Sequence, residues 1–173
     1  MNELDLQPAT SEKIERLDSA VAEVFELMLG KTCLPVRSRV DFTTSLTVTI
    51  SLSGQIDGTC WLCLSHSTAR AVLAAMLGSS TDSTEGCDAM IEDAAQELCN
   101  VIIGSWKSKL PPLQASALLS LPVASYGEDL VGGEKRLYSF DGNLLALALS
   151  IREGEQNYLT TDWKSGELNS DAN

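Results

Sequence analysis

The feature that most constrains the fold is a long apolar helix pattern that carries one narrow polar stripe. The helical pattern runs from Asp88 to Leu110 and is closed by Pro111-Pro112. Because a helix turns by about 100° per residue, four of its positions fall within roughly 60° of one another. These positions are Asp93, Glu97, Asn100 and Gly104. The opposite side is apolar and should pack on a sheet or another helix, so the stripe is predicted to face outward.

The stripe allows two interpretations. Polar residues on a solvated helix face are common, and on that interpretation the stripe is an ordinary surface. A carboxylate and a carboxamide three residues apart, as Glu97 and Asn100 are, can also enter one small site together. Gly104 lowers helix propensity by roughly 1 kcal/mol relative to Ala, but it leaves the surface beside Asn100 bare enough for another molecule to approach. The second interpretation predicts a docking site.

The stripe also carries a family resemblance. The spacing Asp93-x3-Glu97-x2-Asn100, followed after 21 residues by Pro122, resembles the signature of the CheX/CheC family of chemotaxis response-regulator phosphatases, and that of CheX most closely. The sequence from Glu97 to Lys107 is similar to the corresponding CheX helix, and the resemblance spans residues 12–152. It implies that Glu97 and Asn100 catalyse hydrolysis of a phospho-aspartate on a CheY-type receiver domain.

The chemistry of these two side chains suits that role. Neither is a strong nucleophile, and one carboxylate with one amide cannot hold a dedicated metal, so we expect no metal or cofactor of its own. A carboxamide both donates and accepts hydrogen bonds, so Asn100 could hold a water in line with a phosphoryl group. The resemblance implies that Glu97 pairs with the receiver's lysine and that Mg²⁺ belongs to the receiver. Asp93 and Gly104 are expected at the docking surface.

Two other classes of function stay open at this point. A non-catalytic adaptor of the same fold, binding a receiver or the flagellar switch, would use the stripe only to hold its partner. A small acidic scaffold without a receiver partner agrees with the composition but leaves the Asp93-Glu97-Asn100-Pro122 spacing unexplained. A phosphatase accelerates decay of the phosphorylated receiver, an adaptor binds it without acceleration, and a scaffold does neither.

Composition excludes several classes of partner. The 173 residues suffice for one well-buried core, and 12 Lys and Arg against 24 Asp and Glu give a formal charge of -12. Nucleic acid and anionic membrane surfaces are therefore not expected as partners. Since no apolar run could span a membrane and no secretory signal is apparent, we expect a cytoplasmic protein with reduced cysteines. Cys60 and Cys63 lie three apart on a predicted strand, and no second pair completes a zinc site.

The order of elements predicts an α+β fold, with long helices on one face of a largely antiparallel sheet. We expect a flexible N-terminus at 1–10, one domain at 11–152 and a polar tail at 153–173. Helices are predicted at 11–29, 67–77 and 88–110, and strands at 38–53, 58–64, 115–123, 136–140 and 144–151. Polar residues 79–86 should link two helices, and Asp141-Gly142-Asn143 should form a tight turn.

The first helix contains an echo of the stripe. Ser19-x3-Glu23-x2-Glu26 is followed by an apolar triplet and Gly30, as Asp93-x3-Glu97-x2-Asn100 is followed by one and Gly104. This favours duplication and a pseudo-twofold domain. An ionised carboxylate only accepts hydrogen bonds and repels a phosphoryl group, so Glu26 is predicted not to form a second active site. Leu27 is expected on the buried face of this helix.

The Leu-rich strand at 144–151 bears on assembly. It either lies centrally in the sheet or leaves an edge that another chain could extend. CheX relatives form dimers through such an edge, so the resemblance implies a homodimer.

Overall fold

Among the residues that the structure describes, helices cover one face of a seven-stranded antiparallel sheet, which confirms the predicted α+β class. The computed structural model describes residues 8–37, 40–80, 86–127 and 134–153. The helices are α1 (Pro8–Val24), which continues into a π-helical turn (Phe25–Leu29), α2 (His66–Leu77), α3 (Asp88–Ser108) and the short α4 (Pro112–Ala115). The strands are β1 (Leu34–Val36), β2 (Leu46–Ser53), β3 (Ile56–Leu64), β4 (Leu118–Leu119), β5 (Val123–Tyr126), β6 (Glu134–Phe140) and β7 (Asn143–Glu153).

The order of strands has the pseudo-twofold symmetry expected from the internal echo. The sheet runs β1-β6-β7-β3-β2-β4, with β5 also paired to β2. Exchanging β1, β2 and β3 with β5, β6 and β7 turns the order β1-β6-β7-β3-β2-β5 into its own reverse. Strands β3 and β7 then meet at the centre, and α1 corresponds to α3. Helix α2 has no counterpart in the second half of the described chain.

The core lies between the sheet and the helices. In β2, alternate residues from Leu46 to Leu52 are at most 4% exposed, as expected for a strand with one face against helices. Across from them, the apolar side of α3 is buried as its periodicity predicted. The α3 residues with no exposed surface are Leu98, Cys99, Ile102, Ile103 and Trp106.

Two polar contacts fix α1 between the sheet and α3. The Trp106 indole donates a hydrogen bond to the Lys13 carbonyl at 3.0 Å. Asp18 accepts hydrogen bonds from Arg136 Nε at 2.7 Å and from the Tyr138 hydroxyl at 2.8 Å, and its second oxygen pairs with Arg136 Nη2. Because these bonds join α1 to β6 and to α3, the helix cannot slide along either neighbour without breaking them.

The tight turn between β6 and β7 is confirmed. Asp141 and Gly142 have φ angles of +46° and +77°, so both central residues occupy the left-handed region, as a two-residue hairpin turn requires. Strands β2 and β3 also form a hairpin, as the sequence predicts. The turn expected at Gln55-Ile56-Asp57-Gly58 instead lies at Gly54-Gln55, between the end of β2 at Ser53 and the start of β3 at Ile56.

Several predicted boundaries differ from the structure. The first helix starts at Pro8, and the strand expected from residue 38 begins only at Leu46. The strand expected at 115–123 is instead divided into α4, β4 and β5. Pro122 lies between the last two, and proline has no backbone N–H to continue a ladder. Residues 1–7, most of the 79–86 linker and the tail from 154 lie outside the described residues.

The prediction that Leu27 is buried was wrong. Its side chain is 79% exposed, whereas Phe25 and Leu29 are 0% and 6% exposed. These residues belong to the π-helical turn, which holds more residues per turn than an α-helix and therefore rotates the faces of the segment. The change brings Phe25 against Phe140, with ring centroids 5.0 Å apart, and moves Leu27 to the surface.

Candidate functional site

The predicted stripe lies on the outer side of α3. Asp93, Glu97 and Asn100 are exposed and Gly104 is half-buried. A Cβ added to Gly104 would meet nothing within 4 Å, so glycine here leaves open space and is not needed to prevent a clash. The structure thus brings all four predicted site residues to one surface.

Glu97 and Asn100 present polar atoms without partners. Within the described ranges, neither side chain makes a hydrogen bond or an ion pair. The backbone that carries them is fixed, because the underside of α3 is buried and Lys107 donates to the Ala117 carbonyl at 2.8 Å. An unpaired carboxylate and an unpaired carboxamide on a rigid support can bind a partner molecule without first breaking bonds within the chain.

Strand β5 flanks α3 on one side. The exposed Tyr126 hydroxyl is hydrogen bonded to Glu92, which raises the pKa of Tyr126 to about 12. Pro122, the last member of the signature, is half-buried and directly precedes this strand. The proline therefore marks the start of the element that borders the stripe.

A groove borders the stripe on its other side, between the first helix and α3. We call it the α1–α3 groove, and its volume is about 420 Å³. The first helix lines it with Glu23, Val24, Leu27 and Met28, and α3 lines it with Glu97, Val101 and Ser105. The sequence did not predict this groove, because its wall depends on the π-helical turn that turns Leu27 outward.

The echo residues in the first helix have a different environment. Glu23 forms an ion pair with Lys109 and accepts a hydrogen bond from Ser105. The contact with Lys109 lowers the pKa of the Glu23 carboxyl. Gly30 ends its helix with a φ of +61°, whereas Gly104 lies inside α3. The two segments therefore occupy equivalent positions in the two halves of the fold. The Glu23 carboxylate, however, already has partners within the chain, Lys109 and Ser105.

The cysteines and the histidine do not form a site in the part of the chain that the structure describes, where no cluster of three or more potential metal ligands occurs. Cys60 belongs to the core under the helices, while Cys63 faces Thr47, with Sγ and Oγ1 3.8 Å apart. Burial raises the pKa of the Cys33 and Cys60 thiols to about 12. His66 is exposed in the first turn of α2.

Among the described helices, none is both long enough and apolar enough to cross a bilayer.

Solved structures with the same fold include the chemotaxis protein CheX and the protein FliY. CheX from Desulfovibrio desulfuricans has a TM-score of 0.64 and 18% identity, covering 82% of this chain and 99% of that one. CheX in a CheX–CheY–BeF3–Mg²⁺ complex from Borrelia burgdorferi has a TM-score of 0.63 and 22% identity, covering 82% and 98%. FliY from Thermotoga maritima has a TM-score of 0.62 and 17% identity, covering 85% and 92%. At these identities the similarity shows a shared fold.

The sequence itself identifies the family. Among curated protein sequences, none matches the chain significantly. The family model described as chemotaxis phosphatase CheX matches residues 46–138, a span that includes the whole stripe and Pro122. Because this span is more than half of the 173 residues, the chain belongs to the CheX family.

Proposed function

We propose that this chain is a phosphatase that accelerates hydrolysis of the phospho-aspartate on a CheY-type receiver domain, in chemotaxis or a related two-component pathway. The observation that carries the proposal is the exposed, unpartnered pair Glu97 and Asn100 on the rigid outer side of α3. Membership in the CheX family supports it, and so does the relative from Borrelia burgdorferi that was solved with CheY.

Asn100 is assigned to the attacking water. Its amide can donate one hydrogen bond and accept another, which fixes a water opposite the leaving oxygen. The water oxygen bonds to phosphorus while the bond from phosphorus to the aspartyl oxygen breaks, and the aspartate leaves as a carboxylate. The displaced proton passes to solvent or to the released phosphate. Positioning suffices because an acyl phosphate is already reactive.

Glu97 is assigned to alignment of the two proteins. Its carboxylate would pair with the receiver's lysine, and charge-assisted pairs of this kind fix orientation as well as add affinity. The Mg²⁺ that offsets phosphoryl charge would belong to the receiver. Asp93 and Gly104, on the same surface, would contact the receiver at the edge of the site.

The test is phosphate release from receivers charged with acetyl phosphate, using the receivers encoded in the same genome. Asn100→Ala should lower kcat by about 100-fold or more, the loss typical for one positioned polar group, while receiver affinity stays within about tenfold. Gln96→Ala removes a carboxamide from the same helix outside the stripe and should leave the rate unchanged. Full activity of Asn100→Ala would refute the assignment.

Glu97 should respond differently. Glu97→Ala should weaken both binding and turnover, because it removes the contact that aligns the receiver. Glu97→Lys should be worse than Glu97→Ala, since it places two positive charges together. Equal activity of all Glu97 variants would contradict this alignment role.

A second candidate is a non-catalytic adaptor, and the fold similarity to FliY from Thermotoga maritima favours keeping it. An adaptor would bind the charged receiver through the same surface and leave its decay rate unchanged. Receiver binding measured beside phosphate release therefore separates the two functions.

We also propose that the chain forms a homodimer. Strand β7 lies in the interior of the sheet, so the Leu-rich C-terminal strand does not offer the edge that its sequence allowed. The β4–β5 edge instead carries exposed apolar side chains at Leu118, Leu121 and Val123, which suits pairing with another chain. Sedimentation should give a dimer that Val123→Lys weakens, and a wild-type monomer at roughly tens of micromolar, a usual assay range, would count against it.

A further inference from the structure

The α1–α3 groove lies directly beside the proposed catalytic pair, because Glu97 forms part of its wall. It is open to solvent, and its floor is apolar, with Val24 only 4% exposed and Met28 and Val101 half-buried. A molecule that contacts Glu97 and Asn100 on α3 therefore meets the groove without leaving that surface.

Leu27 forms the outer lip of this groove. At 79% exposure it is more exposed than any other large apolar side chain in the described helices. Its position follows from the π-helical turn. Such turns are rare in proteins, and those that occur are often found at functional sites. An exposed leucine against an apolar floor offers surface that a partner side chain could bury.

The charges around the groove are negative but not equivalent. Glu23 is engaged by Lys109 and Ser105, so its charge is largely balanced within the chain. Glu97, on the opposite wall, has no partner among the described residues. The groove therefore combines one unsatisfied carboxylate with an apolar floor, which complements a segment that carries a basic and an apolar side chain together.

We propose that the α1–α3 groove receives an apolar side chain of the receiver domain, from a surface segment whose neighbouring Lys or Arg contacts Glu97. This inference rests on the receiver as partner under the proposed function but not on catalysis. Leu27 then determines which receivers bind, and it does so through affinity, because it lies on the far wall from Asn100 and touches no reacting atom.

The test compares Leu27→Ser and Leu27→Glu with Leu77→Ser. Leu77 is an exposed leucine at the end of α2, 54% exposed, and serves as the matched control. Binding is measured by titrating a receiver activated with beryllofluoride, and turnover by phosphate release over a range of phosphorylated receiver concentrations. Leu27→Glu should raise both Kd and KM by about tenfold or more and leave kcat within about twofold, the pattern of lost uniform binding. Leu27→Ser should have a smaller effect in the same direction.

The outcomes separate this inference from the proposed function. Wild-type Kd and KM in both Leu27 variants, with kcat lost in Asn100→Ala, would overturn the groove assignment and leave the phosphatase intact. Weaker binding in the Leu27 variants, with no receiver hydrolysis by the wild type, would support the groove as the docking site of an adaptor. A change of oligomeric state in Leu27→Glu at unchanged receiver affinity would show that a second copy fills the groove, which also overturns the proposal. Failure of the wild type to bind any receiver would overturn both.

Discussion

Removing the Asp18 carboxylate should destabilise the protein far more than removing an ordinary surface charge. Asp18 is 22% exposed at its side chain and Arg136 is 33% exposed, so the pair lies between a buried and a surface ion pair. Breaking a buried pair costs about 3–5 kcal/mol, whereas a surface pair contributes at most about 1 kcal/mol. Asp18→Ala would also leave the hydroxyl of Tyr138, a fully buried residue, without its acceptor. We expect a loss of about 3 kcal/mol in the free energy of unfolding.

Urea denaturation followed by tryptophan fluorescence measures this loss. Asp18→Asn keeps an acceptor for Tyr138 but loses the charge, so it should cost less, about 1–2 kcal/mol. The control is Glu12→Ala, because the Glu12–Arg16 pair is exposed, 62% at Glu12, and should change stability by under about 0.5 kcal/mol. A loss in Asp18→Ala no larger than in the Glu12 control would refute the reasoning that this network anchors α1.

Four further predictions concern the site and the thiols. Gly104→Ala should raise the free energy of unfolding by about 0.5–1 kcal/mol, since its Cβ meets nothing, yet weaken receiver binding; unchanged affinity in a titration would remove Gly104 from the docking surface. The double variant Glu23→Ala/Glu26→Ala should keep kcat within about twofold, and a large loss with an intact circular dichroism spectrum would show that the first helix takes part in catalysis. In the native protein near pH 8, alkylation followed by mass spectrometry should label Cys87, which is partly exposed, well before the buried Cys33, Cys60, Cys63 and Cys99. Because the folded state raises the pKa of buried thiols, their stabilising contribution is complete below the unfolded value near 9 and is lost as pH rises toward about 12, so urea midpoints should fall above pH 9.

Regular periodicity made the central helix and the two hairpins predictable. Leu98 and Ile102 had to face the core if Asn100 faced solvent, and Asp141-Gly142 left few alternatives to a two-residue turn. These inferences depend only on local geometry, which a single sequence contains. The outward position of the stripe followed from the same argument.

Features that depend on packing between distant segments could not be predicted in this way. Leu27 fits the apolar period of an α-helix, and only the burial of Phe25 and Leu29 shows that the period changes in the π-helical turn. The sequence around Pro122 reads as one strand, but the proline divides it. The α1–α3 groove requires knowing how two helices lie side by side. The catalytic roles proposed for Glu97 and Asn100 could not be derived from the helix pattern alone and needed the family resemblance, since an exposed polar pair fits many kinds of partner.

The pseudo-twofold sheet also determines how late in synthesis this chain can complete its fold. Nine residue pairs join β3 to β7, from Ile56↔Glu153 to Leu64↔Leu145, against seven within the β2–β3 hairpin. Among the described strands, the longest ladder is thus the one that joins the two halves, and β3 and β7 lie far apart along the chain. Contacts of such high sequence separation slow folding. During synthesis, one edge of β3 stays unpaired until β7 has left the ribosome. Premature association between nascent chains should therefore begin at this edge.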